Sequence, residues 1–252
     1  KYYKNTMKFD GWRFDYVKGF GAWVIKEWMK SVGGFAVGEL WDGNPETLKN
    51  WVDASGISAF DFACYYAVEK ALDSQNDMHH LMSDQHPMLR TLRPDKAVTF
   101  VGNHDVDDRN DVHPDNTIPK NKKLMAYAYI LTQFLSGYPC IFYTDYENST
   151  NKTKLQKLML INRSLAAGEE KFHLASNTEY VASRLGKDKS PGLVLFLNNG
   201  NTPAERTITT HFKGKILIDY TGNSTERFAT NNEGRVTLKV PANSYTIWSV
   251  GQ

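Results

Sequence analysis

The chain has 252 residues, 41% hydrophobic and 23% charged, which suits one sizeable core with a small appended module and excludes a disordered or fibrous protein. A formal net charge of +2, with lysines scattered along the chain, gives no electrostatic footprint for a nucleic-acid partner. No run of about 18 apolar residues is present to span a membrane, and the start Lys1-Tyr2-Tyr3-Lys4 is neither an initiator methionine nor a signal peptide, so the chain is expected to begin inside something larger.

Short apolar runs alternate with amphipathic stretches up to about residue 168, the pattern of repeated β-α units and a parallel sheet. Residues 11–15 read as a strand and 20–32 as a helix with Phe20, Trp23, Val24, Trp28 and Val32 on one face. Further strands are expected at 35–39, 57–62 and 97–101, with a helical region at 65–72. A strong helix follows over 122–135, closed by Gly137, then a fifth strand at 140–143 and a last helix over 152–165 that stops at Gly168. Beyond residue 170 the runs 180–184, 193–198, 205–208, 215–219, 236–240 and 244–250 are short, alternating and separated by Gly/Asn/Pro turns, which predicts an antiparallel β-module. The expected fold class is therefore α/β, with domains at 1–169 and 170–252. Cys64 and Cys140 lie in segments that look like strand edges and read as buried free thiols, since two cysteines make no disulfide framework and no metal spacing is present. His79-His80 and His86 have no acids at ligand spacing and read as surface residues. Four Asn-x-Ser/Thr sequons carry no weight in an Asn-rich chain.

Three acids sit at or just past the ends of separate strands: Asp15 in Gly-Trp-Arg-Phe-Asp, Glu39 in Ala-Val-Gly-Glu and Asp105 in Phe-Val-Gly-Asn-His-Asp. The C-terminal ends of strands in a parallel β/α barrel converge on one mouth, where active sites lie. One such acid more often caps a helix or closes a loop; three in distinctive surroundings point to a shared site. Arg13, two residues from Asp15, lies on the same strand face, where a cation would favour the ionised carboxylate.

These stretches resemble the signature regions of the α-amylase family, the thirteenth family of glycoside hydrolases, in its archaeal and plant-like branches. Residues 11–19 look like the nucleophile region, 38–42 the acid/base region and 100–105 the region of the third carboxylate; likeness continues through Gly137-Tyr138-Pro139 and Ile141-Phe142-Tyr143 into the C-terminal module. The resemblance implies Asp15 as nucleophile, Glu39 as acid/base and Asp105 as transition-state stabiliser, with His104 as a hydroxyl donor and Arg13, Lys18, Gly19 and Trp41 at the substrate. It implies an α-glucan substrate, endo-acting hydrolysis of α-1,4 bonds, secretion and a structural calcium, to which Gly19 offers a backbone carbonyl. The run 105–111 superficially suggests a calcium loop, but Arg109 at the fifth position and no glycine at the sixth spoil it, leaving a rim loop with Arg109 or Asp107 near the sugar.

Against the same family pattern the first strand already carries the motif of the fourth, and the family's first signature is absent. The chain thus matches a partial (β/α)8 barrel, strands four to eight, followed by an antiparallel all-β C-terminal domain. A half barrel exposes two strand edges, so an N-terminal part of the same enzyme is expected beside it, as a second chain, a nicked segment or a further stretch of chain; alone, little activity is expected. A glucan transglycosylase and a non-catalytic carbohydrate-binding half-barrel are the competing readings.

Overall fold

A computed structural model describes residues 1–73, 77–106, 117–133 and 136–251. A short helix, Tyr2–Asn5 (α1), precedes the first strand, Gly11–Phe14 (β1), and strand and helix then alternate. They run Ala22–Val32 (α2), Phe35–Gly38 (β2), Pro45–Ser55 (α3), Ser58–Phe60 (β3), Phe62–Leu72 (α4), Leu89–Leu92 (α5), Ala97–Thr99 (β4), Lys123–Thr132 (α6), Tyr138–Pro139 (β5), Tyr143–Glu147 (α7) and Ser149–Leu165 (α8). The five strands form one parallel sheet in chain order, each step spanned by the helical crossover that parallel pairing requires. The sheet is curved. Phe35 on β2 and Tyr138 on β5 bring their rings to 5.0 Å between centroids, whereas three strand spacings laid flat would separate the strands by about 14 Å.

Local chemistry accounts for the helix ends. Asn44 accepts hydrogen bonds from the backbone N–H of Glu46 and Thr47, both at 3.0 Å, Pro45 stands at the first helical position of α3, and Gly56 ends the helix at φ 78°. This helix falls between two expected strands where the sequence reading places none. Asp61 caps α4 through Cys64 N–H at 2.9 Å, so Cys64 lies in a buried helix and not at a strand edge; Cys140 is only half-buried, and both thiols are free. The fifth strand is Tyr138–Pro139, two residues earlier than expected, and Tyr143 opens a helix instead. Gly137 does not close the preceding helix. It sits where a Cβ would collide with the carbonyl of Ala97 across the strand pair. On α2 the expected apolar face is not buried: Ile25 alone is, while Trp23 and Trp28 are exposed. Nor are the histidines unpartnered, since Asp77 lies 2.7 Å from His79 Nδ1 and 3.8 Å from His80 Nε2.

After α8 the chain is all β: Glu170–Ala175 (β6), Glu179–Arg184 (β7), Leu193–Asn198 (β8), Ala204–Thr209 (β9), Ile216–Asp219 (β10), Arg227–Ala229 (β11), Arg235–Val240 (β12) and Ser244–Val250 (β13). Of these, β6 and β11 were not anticipated. Six strands pair antiparallel in the order β11-β10-β13-β8-β7-β6, and β9 with β12 makes a separate ribbon. Every residue of β8 is buried, and its period of two divides the burial. Leu193, Leu195 and Leu197 join the core shared with the helices of the parallel sheet, while Val194 and Phe196 face Val236, Leu238 and Val240 of β12. Arg90, a buried residue of α5, ties the two regions together through Glu170 at 2.9 Å and the Tyr129 hydroxyl at 2.7 Å. No helix among the described residues is long and apolar enough to cross a membrane.

Candidate active site

Parallel pairing between β1 and β2 aligns Arg13 with Val37 and Phe14 with Gly38. It continues past the strands: Glu39 N–H donates to Phe14 O at 2.9 Å, and Val17 N–H to Glu39 O at 3.3 Å. Asp15 and Glu39 are therefore neighbours at the C-terminal ends of adjacent strands. Arg13 joins them. Its Nη1 donates to Asp15 Oδ1 at 2.7 Å and its Nη2 to Glu39 Oε1 at 2.6 Å. Tyr16 is held at φ 44°, ψ 49°, a left-handed conformation costly for a side chain of this size, and there its N–H lies 3.3 Å from Glu39 Oε2.

The two carboxyls differ in environment. Asp15's side chain is 71% exposed and that of Glu39 is 9%. A hydrogen bond from Glu39, then Arg13, holds the Asp15 carboxyl below the usual carboxylate range, with a smaller pull from His104. Burial pushes Glu39 up, and the neighbouring Asp15 adds to this, against the opposing pull of the Tyr16 N–H and Arg13. One carboxyl is thus poised to be ionised and the other to keep a proton, the division of labour needed for nucleophile and general acid.

A cavity of about 160 Å³ opens beside them, lined by Arg13 and Glu39 on one side and by Gly102 to His104 and Cys140 to Tyr143 on the other, with Phe60 and Phe100 at its base. Asn103 shapes the β4 loop by accepting from the N–H groups of Asp105 at 2.8 Å and Val106 at 3.0 Å. His104 Nε2 meets Asp105 Oδ2 at 3.3 Å. Of the three acids, then, Asp15 and Glu39 are brought together directly, and Asp105 reaches the same cavity through His104 without lining it. Lys18 pairs with Asp42 at 3.4 Å, outside the cavity wall. Trp41 stacks on Phe62 at 5.0 Å and donates to Tyr66 OH at 2.8 Å, so one ring face serves packing. Tyr16, Asn103, Phe142 and Tyr143 were not anticipated. The conformation of Tyr16 has no sequence signal, but the apolar run Cys140-Ile141-Phe142-Tyr143 past a strand had one. Asp107 and Arg109 lie outside the described residues.

Calcium takes six to eight oxygen ligands. Gly19, in a single turn against the Tyr16 ring, offers one carbonyl, and among the described residues no group of three or more His, Cys, Asp or Glu could hold a metal. The described residues do not by themselves fit a calcium site.

Residues 193–249 match a family model described as α-amylase C-terminal. The chain is 29% identical to an α-amylase of Geobacillus stearothermophilus over 267 residues, 98% of this chain and 48% of that protein. It is 28% identical to the cytoplasmic α-amylase of Escherichia coli K12 over 269 residues, 96% of this chain and 53% of that one, so the family assigns no compartment. Among solved structures, an α-amylase from Geobacillus thermoleovorans complexed with acarbose superposes with a TM-score of 0.79 at 18% identity, covering 100% of this chain and 62% of that one. A matching C-terminal domain, relatives aligned along nearly the full chain and a shared fold agree: the chain is similar to α-amylases over nearly its whole length, carries an α-amylase C-terminal domain at residues 193–249, and spans about half the length of the curated relatives it matches.

Proposed function

We propose that the chain carries the catalytic machinery for retaining, endo-acting hydrolysis of α-1,4-glucosidic bonds in starch-like glucans. Asp15 attacks the anomeric carbon, Glu39 protonates the leaving oxygen, and a covalent glycosyl-enzyme forms. Glu39, now ionised, then takes a proton from water as that water displaces Asp15. The scissile linkage enters between the two carboxyls and holds them at the about 5–5.5 Å of retaining enzymes. Asp105 and His104 bind ring hydroxyls and favour the oxocarbenium-like transition state, with Lys18 and Trp41 on the leaving-group side. The observation that carries this reading is the Arg13 fork on two carboxyls whose proton affinities are pushed in opposite directions.

On this reading residues 1–169 are barrel strands four to eight and residues 170–252 the C-terminal β-domain. The outer edges of β1 and β5, and the apolar groove lined by Tyr3, Trp12, Phe14, Trp28 and Val32, receive the N-terminal part of the same enzyme. Calcium, if bound, takes its remaining ligands from that part, and secretion remains the compartment proposed. The test is starch hydrolysis by the full-length enzyme and its Glu39→Gln variant. Glu39→Gln keeps the shape and removes the transferable proton, so turnover should fall by several orders of magnitude; activity above about a tenth of the original removes Glu39 from the role. The chain without its N-terminal part should show little turnover.

A further inference from the structure

Behind the cavity wall opposite Arg13 lies a buried ionic cluster with no part in the chemistry above. Lys123 and Tyr127, one turn apart on α6, both reach Asp145 on α7. Lys123 Nζ donates to Asp145 Oδ1 at 2.8 Å and Tyr127 OH to Oδ2 at 2.8 Å, while the same hydroxyl accepts from Phe142 N–H at 3.1 Å. The Lys123 and Asp145 side chains are 5% and 9% exposed. Gly102 lies directly in front: a Cβ there would stand 3.9 Å from Asp145 Oδ2, from Lys123 Nζ and from the Phe142 ring. One cluster therefore touches both loops of the far wall, 102–104 and 140–143, which supply seven of the eleven residues lining the cavity.

Ion pairs removed from water add little net stability, because desolvation offsets their attraction, and apolar residues of similar volume often serve as well. What such a pair does supply is a fixed geometry for the groups hydrogen-bonded to it. We propose that Lys123, Tyr127 and Asp145 are positioning residues that set the distance of the His104–Asp105 loop and the Phe142–Tyr143 wall from the Asp15–Glu39 pair. This inference rests on the reading of the cavity as the glucan-cleaving site.

The test is made in the full-length enzyme, with active sites titrated by a slow fluorinated glycoside so that turnover is expressed per competent site. Tyr127→Phe removes one oxygen and leaves the volume unchanged. Its kcat should fall about tenfold with KM changed less than about twofold, as expected for a small displacement of groups that act in the transition state. Amide hydrogen exchange should rise in segments 100–106 and 140–146 and nowhere else. Lys123→Met combined with Asp145→Leu should keep the thermal midpoint and still lose kcat; if that pair does not fold, Asp145→Asn should reproduce the Tyr127→Phe result. Unchanged kcat per site in Tyr127→Phe, unchanged exchange in both segments, or full kcat in the double variant would each overturn the proposal. Glu39→Gln run beside them separates the two ideas. If it retains turnover, the glucan-cleaving reading fails, and the exchange pattern alone decides the cluster.

Discussion

Replacing Arg13 by methionine removes a cation that touches both carboxyls. Its effect can be worked out from the geometry. A hydrogen bond to a charged group contributes about 1.5–3 kcal/mol when both partners are shielded from water. Glu39 is 9% exposed but Arg13 is 39% exposed, so screening reduces the Arg13–Glu39 bond to about 1–1.5 kcal/mol. Spent on holding Glu39 in its reactive place, that is about a tenfold fall in kcat/KM. The pH profile gives a sharper test. Asp15 must be ionised, and Arg13 favours its ionised form; without Arg13 the carboxylate takes up a proton more readily, and the acidic limb moves to higher pH. Glu39 must begin protonated, and Arg13 pulls its affinity for the proton down; without Arg13 the proton is held longer, and the alkaline limb also moves to higher pH. Because the two groups share a hydrogen bond, both limbs belong to the pair. The assay is kcat/KM of the full-length enzyme against pH on a short malto-oligosaccharide, with Arg13→Lys in parallel, which keeps the charge but loses the fork. A profile that stays in place in Arg13→Met, or moves to lower pH, would refute the assignment of Arg13 as the shared cation.

Asp61, fully buried, accepts N–H groups of Cys64 at 2.9 Å, Leu89 at 3.2 Å and Arg90 at 2.7 Å. Asp61→Ala leaves three donors at the starts of α4 and α5 without an acceptor and should lower stability to chemical denaturation by about 3–5 kcal/mol; a loss under about 1 kcal/mol would mean that water replaces the carboxylate. In the β-region, burial pushes the His173 imidazole down to about 4 from 6.5, and it is bonded to Ser183 Oγ at 2.7 Å. A histidine whose folded-state pKa is depressed contributes fully above the unfolded value and loses that contribution as pH falls through the folded one, so stability should drop between pH 6.5 and about 4. Discounted for partial exposure, the drop is about 2 kcal/mol. Urea midpoints at neutral and mildly acidic pH measure it, and His173→Gln should flatten the difference.

Asp15, Glu39 and Asp61 follow three consecutive parallel strands in the same way, yet only Glu39 lines the cavity, and Asp15 stands beside it through Arg13. Asp61 is the case in which an acid past a strand is a helix cap, and its own sequence context does not separate it from the others. What separates them is the next element: Arg13 and the Tyr16 turn leave room before α2, while α4 starts at once after Asp61. The bounds of β8 were legible because its ends are marked by Gly192 and Asn198-Asn199-Gly200. The fifth strand of the parallel sheet was not. Only two residues pair there, Tyr138 exposed and Pro139 half-buried, and nothing in the run 137–143 says which two they are. Helix α3 carries its signal in Asn44-Pro45 and Gly56. On α2 the apolar stripe exists as the periodicity implies, with Trp28 within 6 Å of both Phe14 and Phe20, but a stripe does not name what covers it.

The asymmetry between the two central carboxyls follows from the β1–β2 pairing. Strand register fixes Glu39 one place beyond Gly38, which packs so closely on Trp51 that a Cβ would overlap the indole, and this draws the start of Glu39 into the core. Asp15, one place beyond Phe14 on the edge strand, has no strand on its outer side among the described residues and stays in water. Two residues of nearly the same chemistry therefore receive opposite proton affinities: burial raises that of Glu39, while hydrogen bonds from Glu39 and Arg13 lower that of the exposed Asp15. A further strand paired to the free side of β1 would dry Asp15 as well, and Arg13 would then be what keeps Asp15 ionised. The upward shift of the Asp15 titration expected for Arg13→Met, followed by carboxyl NMR so that no turnover is needed, should accordingly be larger in the full-length enzyme than in the chain alone, where water already stabilises the Asp15 carboxylate.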